Sequence, residues 1–390
     1  MTLEVDVVTT LVAAIGVLLI GRMLIAQIGF LRRYNIPEPV VGGLVAAFVI
    51  TGLRIGLGAE ITFDMSLQTP LMLAFFATIG LSADIRTLMQ GGRGLVIFFV
   101  VVVVMLILQD AVGVAAALSL DMHPLTGLLA GSITMSGGHG TGAAYATRFS
   151  EVDNLQGAME IAMACATFGL VLGGLLGGPL AQRLITRHRL AARPDISEMA
   201  APGELDSEER RGLSPESFVE TLLLIVVCIV VGSYVSEVFS NDYLTLPAFV
   251  WTLFTGVILR NALTLGKLRE IDNDTIDLLG TVSLSLFLAM ALIALRLWEL
   301  VSLALPILVI LAAQTVAIAL YVYFVTFRVM GANSEAAVRT AGHVGVGMGA
   351  TPTAIANMQA VAARYGHSRQ AFLIIPIVGA FLIDLANALV

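Results

Sequence analysis

The sequence predicts an all-α polytopic membrane protein built from two inverted-topology repeats, each with five transmembrane helices and one re-entrant hairpin. Three observations predict it: an apolar composition with recurring long apolar runs, a lopsided distribution of arginines, and two glycine-rich segments set a constant distance apart.

Of the 390 residues, 58% are hydrophobic and only 13% are charged. An ordinary soluble domain carries about 25% charged residues, so this chain has a different solvent. Runs such as Leu95–Leu108 and Phe218–Val235 recur along nearly the whole sequence and supply the apolar length that a hydrocarbon core about 30 Å thick demands. That excludes a soluble domain with a single anchor. Cys165 and Cys228 lie inside apolar segments without metal-ligand spacing and read as small buried hydrophobes. The first apolar run is preceded by Glu4 and Asp6, where a signal peptide would be basic, and no small-residue cleavage site follows, so it reads as a spanning helix. The net charge of −7 decides nothing about nucleic acid. The dense basic cluster sits in a central linker and reads as topogenic, so membrane lipid is an expected partner and nucleic acid is not.

Ten spans are expected, near 7–28, 38–56, 70–90, 94–118 and 158–181 in the first half and 217–238, 245–263, 279–297, 301–328 and 371–390 in the second. Residues 183–216, polar, of mixed charge and carrying Pro194, Pro202 and Pro215, read as a solvated linker. This divides the chain into an N-terminal repeat over 1–182, a cytoplasmic linker over 183–216 and a C-terminal repeat over 217–390. With the N-terminus outside and alternating spans, 18 of the 21 basic residues fall on the inner side and only Arg54, Arg148 and Arg296 outside. The positive-inside bias therefore expects both termini outside and the linker in the cytoplasm.

The two glycine-rich segments are residues 125–147 and 335–358. Continuous helix is not expected through Ser136–Gly142 or Gly345–Pro352, because glycine costs about 1 kcal/mol per helical position and proline about 3. Broken backbone at membrane depth requires surrounding protein or a water-filled cavity. The arginine count further needs each segment to enter and leave on one face, the first from outside and the second from inside. Pro37 and Pro247 stand 210 residues apart, as do Gly137 and Gly347, Thr141 and Thr351, and Gly169 and Gly379. Five spans per half then make the second copy inverted, the architecture of secondary transporters.

Glycine-rich tips present unobstructed backbone N–H groups that suit an anion. Their carbonyls, with the hydroxyls of Ser136, Thr141, Thr351 and Thr353, suit a hard cation. The expected substrate-binding residues are Ser136, Gly137, Gly138, His139, Gly140, Thr141 and Gly142 on the first tip and Gly349, Ala350, Thr351, Pro352 and Thr353 on the second. The expected sodium ligands are Thr351, Thr353, Asn357, Asp384 and Asn387. His139 has two readings: a donor to a substrate carboxylate, or a structural donor that ties the hairpin down. Asp384 lies about 20 Å into the last span at 1.5 Å per residue, with Asn387 on the same helical face; intramembrane ionisable groups are costly and usually functional, so Asp384 reads as a partner for an ammonium group or a sodium ion, or as a cap for broken hairpin backbone. Asp84, below Thr78 and Ser82, is a weaker candidate. Asp110 and Glu160 read as solvated or helix-end charges.

The strings IPEPVVGG (36–43), DMSLQTPLMLAFFATIGL (64–81), LLAGSITMSGGHGTGAA (128–144), AMACATFGLVLGGLLGGP (162–179), VSLSLFLAMAL (282–292) and GATPTAIANMQA (349–360) closely resemble the bacterial sodium/glutamate symporters over almost the whole chain. The resemblance implies sodium-coupled uptake of glutamate across the inner membrane, sodium as the coupling ion, no cofactor, and tips that face each other. Kinship with a citrate-transporting family implies a homodimer and an elevator motion. The family also leads one to expect a short apolar tail beyond Val390. A cation/proton antiporter and a symporter of another small organic anion are the alternative readings. An intramembrane enzyme built on Ser136 and His139 lacks an orienting acid, and no enzymatic activity is expected.

Overall fold

A computed structural model describes residues 2–34, 36–58, 60–190, 214–239, 246–266, 271–295, 297–366 and 368–389. Most of the expected linker falls outside them, as do Lys267, Arg269 and Arg296.

The first half comprises α1 (Val7–Gln27), the short α2 (Gly29–Arg33), α3 (Glu38–Leu57), α4 (Gln68–Ser82), α5 (Ile85–Gln90), α6 (Gly92–Ser119), α7 (Pro124–Leu128), α8 (Gly138–Glu151) and α9 (Ala158–His188). The second comprises α10 (Pro215–Phe239), α11 (Ala248–Leu265), α12 (Asn273–Ile293), α13 (Leu297–Tyr321), α14 (Phe327–Val329), α15 (Ser334–Met348), α16 (Thr351–Tyr365), α17 (Arg369–Ile377) and α18 (Ile383–Asn387). Three π-helical turns, Leu129–Ile133, Val322–Thr326 and Val378–Leu382, join α7 to the first tip, α13 to α14 and α17 to α18. Among the described residues nine helices are long and apolar enough to cross a membrane, which makes this a multi-pass membrane protein.

The helices segregate into two bundles. The first gathers α1, α3, α4, α10, α11 and α12; the second gathers α6 to α9 with α13 and α15 to α18. Each bundle thus draws on both halves of the chain. The pairings correspond between the two halves: α1 packs on α3 as α10 packs on α11, and α3 packs on α12 as α11 packs on α4. Glycine permits the tightest of these crossings. A Cβ on Gly80 would come within 2.2 Å of the Leu253 carbonyl oxygen, and one on Gly256 within 2.9 Å of that of Ala77, so α4 and α11 touch backbone to backbone, as membrane helices do at small residues.

Two departures from the expected elements have clear causes. Thr2–Val5 (β1) and Glu60–Phe63 (β2) pair as parallel strands. Together they form a short β addition to an otherwise helical chain, where the segments before α1 and after α3 lie side by side. The third span, expected over 70–90, ends at Ser82. Asp84 there caps α5 by accepting from the Arg86 N–H at 2.8 Å, and its other carboxylate oxygen meets Arg260 of α11 at 3.1 Å. Asn261 closes the break, accepting from the Ile85 N–H at 2.9 Å and donating to the Ala83 carbonyl at 2.8 Å. Asp84 is therefore a structural anchor. Removing one partner of a buried ion pair strands the other charge, at a cost of about 3–5 kcal/mol. Asp84→Ala is accordingly expected to lower the unfolding temperature in detergent sharply, and Arg260→Met in the same chain to restore part of the loss.

Candidate functional site

The first glycine-rich segment breaks earlier than expected: the irregular backbone runs from Gly131 to Gly138, and Gly140 and Gly142 lie within regular helix α8. Gly131 leaves helical geometry (φ −94°, ψ −137°) inside the π turn after α7, and Gly138 opens α8 at φ +69°. The second breaks between α15 and α16 at Gly349 (φ −148°, ψ −100°), which leaves helical geometry, and at the extended Ala350. The tips meet: a Cβ on Gly138 would lie 3.6 Å from the Gly349 carbonyl oxygen, and the Ser136 hydroxyl lies 3.2 Å from that of Gly347. Neither α8 nor α16 has a side-chain cap at its N-terminus, so first-turn N–H groups of both helices are left without intrahelical partners at the contact.

The expected substrate residues fall into two groups. Ser136, Gly137 and Gly138 on one tip, and Gly349, Ala350 and Thr351 on the other, lie at the breaks themselves. The rest pack behind them. His139 Nε2 bonds the Thr167 hydroxyl at 3.1 Å, which ties α8 to α9. Gly140 lets α8 approach the first bundle, since a Cβ there would come within 2.7 Å of the Phe75 ring. A Cβ on Gly142 would reach the Thr134 methyl at 2.9 Å. Pro352 occupies the first turn of α16, where its missing N–H costs nothing. Thr353 is buried, and its hydroxyl has no hydrogen-bond partner.

The five expected sodium ligands are not joined as one set. Asp384 accepts from the Thr141 hydroxyl at 2.9 Å, and Asn387 bonds Ser132 through both ends of its amide; the partners Thr141 and Ser132 both belong to the first glycine-rich segment. Asn357 instead donates to the carbonyls of Gly173 at 2.9 Å and Ala341 at 3.4 Å. Thr351 faces α17–α18 from the second tip, where a Cβ on Gly379 would come within 2.6 Å of its hydroxyl.

Gln109 was not singled out in the sequence, yet it bridges the two tips. Fully buried in α6, its amide donates to the Gly347 carbonyl at 2.8 Å and accepts from the Ser136 hydroxyl at 2.7 Å. Its own carbonyl accepts from Gln314 of α13 at 2.6 Å. The neighbouring Asp110, read from sequence as a solvated or helix-end charge, instead caps the first hairpin's break, accepting from the Ser132 N–H at 2.8 Å and hydroxyl at 3.0 Å. A signal existed: Gln109 and Asp110 are adjacent polar residues deep inside an apolar span, the pattern that marks a functional position in a membrane. Glu160 is a first-turn charge of α9 as expected, but it is buried and not solvated. Arg339 is occupied on α15 by Gln370 at 2.5 Å and Glu335 at 3.5 Å, about two turns before the tip.

Residues 3–367 match the sodium/glutamate symporter family. The chain belongs to that family. Sodium/glutamate symporters from Escherichia coli (strain K12) and Shigella flexneri are each 52% identical to it over 387 residues, covering 99% of this chain and 96% of theirs. One from Haemophilus influenzae is 48% identical over 381 residues, covering 97% and 94%. Membership sets this symporter family member among transporters and not enzymes. It also gives the tip contact a context, since the two uncapped breaks lie in the stretch that the family match covers.

Proposed function

We propose that the protein imports glutamate with sodium across the bacterial inner membrane. In this reading the substrate carboxylates are held by the uncapped N-termini of α8 and α16 and the surrounding tip residues, with sodium as coupling ion and no other cofactor. The observation that carries it is the meeting of those two N-termini at Gly138 and Gly349 in the interior. Helix N-termini bind carboxylates without needing a buried arginine. The names of the relatives supply the substrate and the ion.

The correspondence of helix pairings between the two halves supports two inverted repeats, 1–182 and 217–390, flanking a cytoplasmic linker. It also supports an elevator-like motion in which the second bundle carries the tips past the first. Pairing of β1 with β2 supports an N-terminus on the same face as the α3–α4 connection; with the arginine count, this favours both termini in the periplasm. A homodimer follows from kinship. In proteoliposomes, labelled glutamate is expected to accumulate under an inward sodium gradient and not under a potassium gradient. Failure to accumulate with folded protein present overturns the reading.

A further inference from the structure

We propose that Asp110, Ser132 and Asn387 form a sodium site at the break of the first hairpin, with Ser132 Oγ as the central ligand. The inference rests on sodium coupling and adds to it where an ion binds.

The proton count points to a missing cation. Ser132 Oγ lies 3.0 Å from Asp110 Oδ2 and 2.5 Å from Asn387 Oδ1. Its single hydrogen serves only one of these two acceptors. Turning the Asn387 amide over does not help. Its Nδ2 donates to the Ser132 carbonyl at 3.1 Å, so a flip sets Oδ1 against that carbonyl and moves the deficit without removing it. In either orientation one oxygen–oxygen contact has no proton, and a small hard cation satisfies all three oxygens while the hydroxyl hydrogen turns away.

Charge and setting agree. Asp110 sits about 27 Å from the start of α6 and about 13 Å from its end at 1.5 Å per residue. It lies on a groove otherwise lined by apolar side chains, among them Ile107, Val114 and Leu118. Among the described residues no basic group pairs with it. A bare carboxylate in that setting is costly, and a bound cation cancels its charge. Gly131 makes room, since a Cβ there would come within 2.7 Å of Asp110 Oδ1. At the 210-residue offset, Asp110, Ser132 and Asn387 align with Leu320, Gly342 and Gly177. No ligand side chain stands there; the Asn357 amide instead donates to the carbonyls of Gly173 and Ala341. The arrangement is therefore particular to the first hairpin.

A proton on Asp110 is the other way to fill the deficit, and Asp110→Asn separates the two. Its amide supplies the missing donor and removes the charge, so it mimics the protonated group. Binding of radioactive sodium to purified protein without glutamate is expected to weaken about tenfold or more in D110N and in Ser132→Ala, the scale of one charged hydrogen bond. Ser132→Cys keeps a small donor but replaces a hard oxygen with soft sulfur, and the same weakening is expected there. Wild-type sodium affinity in folded D110N overturns the site in favour of a proton, and wild-type affinity in folded S132C overturns it even if D110N does not fold. Wild-type protein that shows no sodium-driven uptake refutes the transport reading instead, so the two failures are distinguishable.

Discussion

Replacing Gln109 by glutamate is expected to reduce sodium-driven glutamate uptake by about 10- to 100-fold, mainly through a raised KM. The amide reads two groups of opposite need. The Gly347 carbonyl can only accept, and the Ser136 hydroxyl is free to donate. A carboxylate keeps the acceptor but has no hydrogen for Gly347, and leaving a buried carbonyl unpaired costs about 1–3 kcal/mol. Ser136 has one proton, so it satisfies either Gly347 or the new carboxylate. The strain falls on the relative position of the tips, because α6 holds one through Ser136 and the other through Gly347. Uptake titrations in proteoliposomes, with unfolding temperature as the control, check this. A merely structural role would lower the unfolding temperature and the number of active molecules and leave KM unchanged. A double-mutant cycle with Ser136→Ala is expected to give a coupling of about 0.5–3 kcal/mol.

Gly138→Val is expected to abolish measurable uptake, while Gly138→Ala keeps a fraction of it. At φ +69° any side chain is disfavoured by about 1–2 kcal/mol, more for a β-branched one. The alanine methyl would find ordinary van der Waals contact 3.6 Å from the Gly349 oxygen, so strain is its main penalty. Valine adds two methyls at the place where the tips meet and covers the first-turn N–H groups of α8. The comparison of the two variants separates backbone strain from occlusion. Equal losses in G138A and G138V would show that strain alone governs the position.

Much of the fold was legible in the sequence because membrane physics writes it plainly. Apolar length located nearly every span, and glycine density at 345–352 brackets the second break, while the first begins at Gly131, ahead of the 136–142 stretch, most of which is helical. The third span is expected over 70–90 because composition does not mark Ser82 as an end; the helix stops there for Asp84, whose partner Arg260 lies 176 residues on, and for Asn261, which bonds Ala83 and Ile85 on either side. The β1–β2 pair was invisible for a similar reason: neither strand carries a signal until the other lies beside it. At the site, the tip residues announced themselves as glycines and hydroxyls. Gln109 and Asp110 show only as polar residues inside an apolar span, because their partners lie in two segments distant in sequence. Asp384 and Asn387 stand out in the sequence as polar groups in an apolar span, but their attachment to Thr141 and Ser132 is a tertiary fact that no spacing encodes.

The mixed parentage of the two bundles reaches back to the protein's synthesis. When α9 leaves the ribosome, α1, α3 and α4 still lack α10 to α12, and the first hairpin still lacks the helix that carries Asp384 and Asn387. The first bundle cannot close until α12 has entered the membrane, and the second not until α17 and α18 have. The nascent first half must wait in lipid with the Gly80 and Gly43 surfaces uncovered and Ser132 without Asn387. Quality control therefore acts on a nearly complete chain, and a lesion near the C-terminus is as damaging to the first hairpin as one within it.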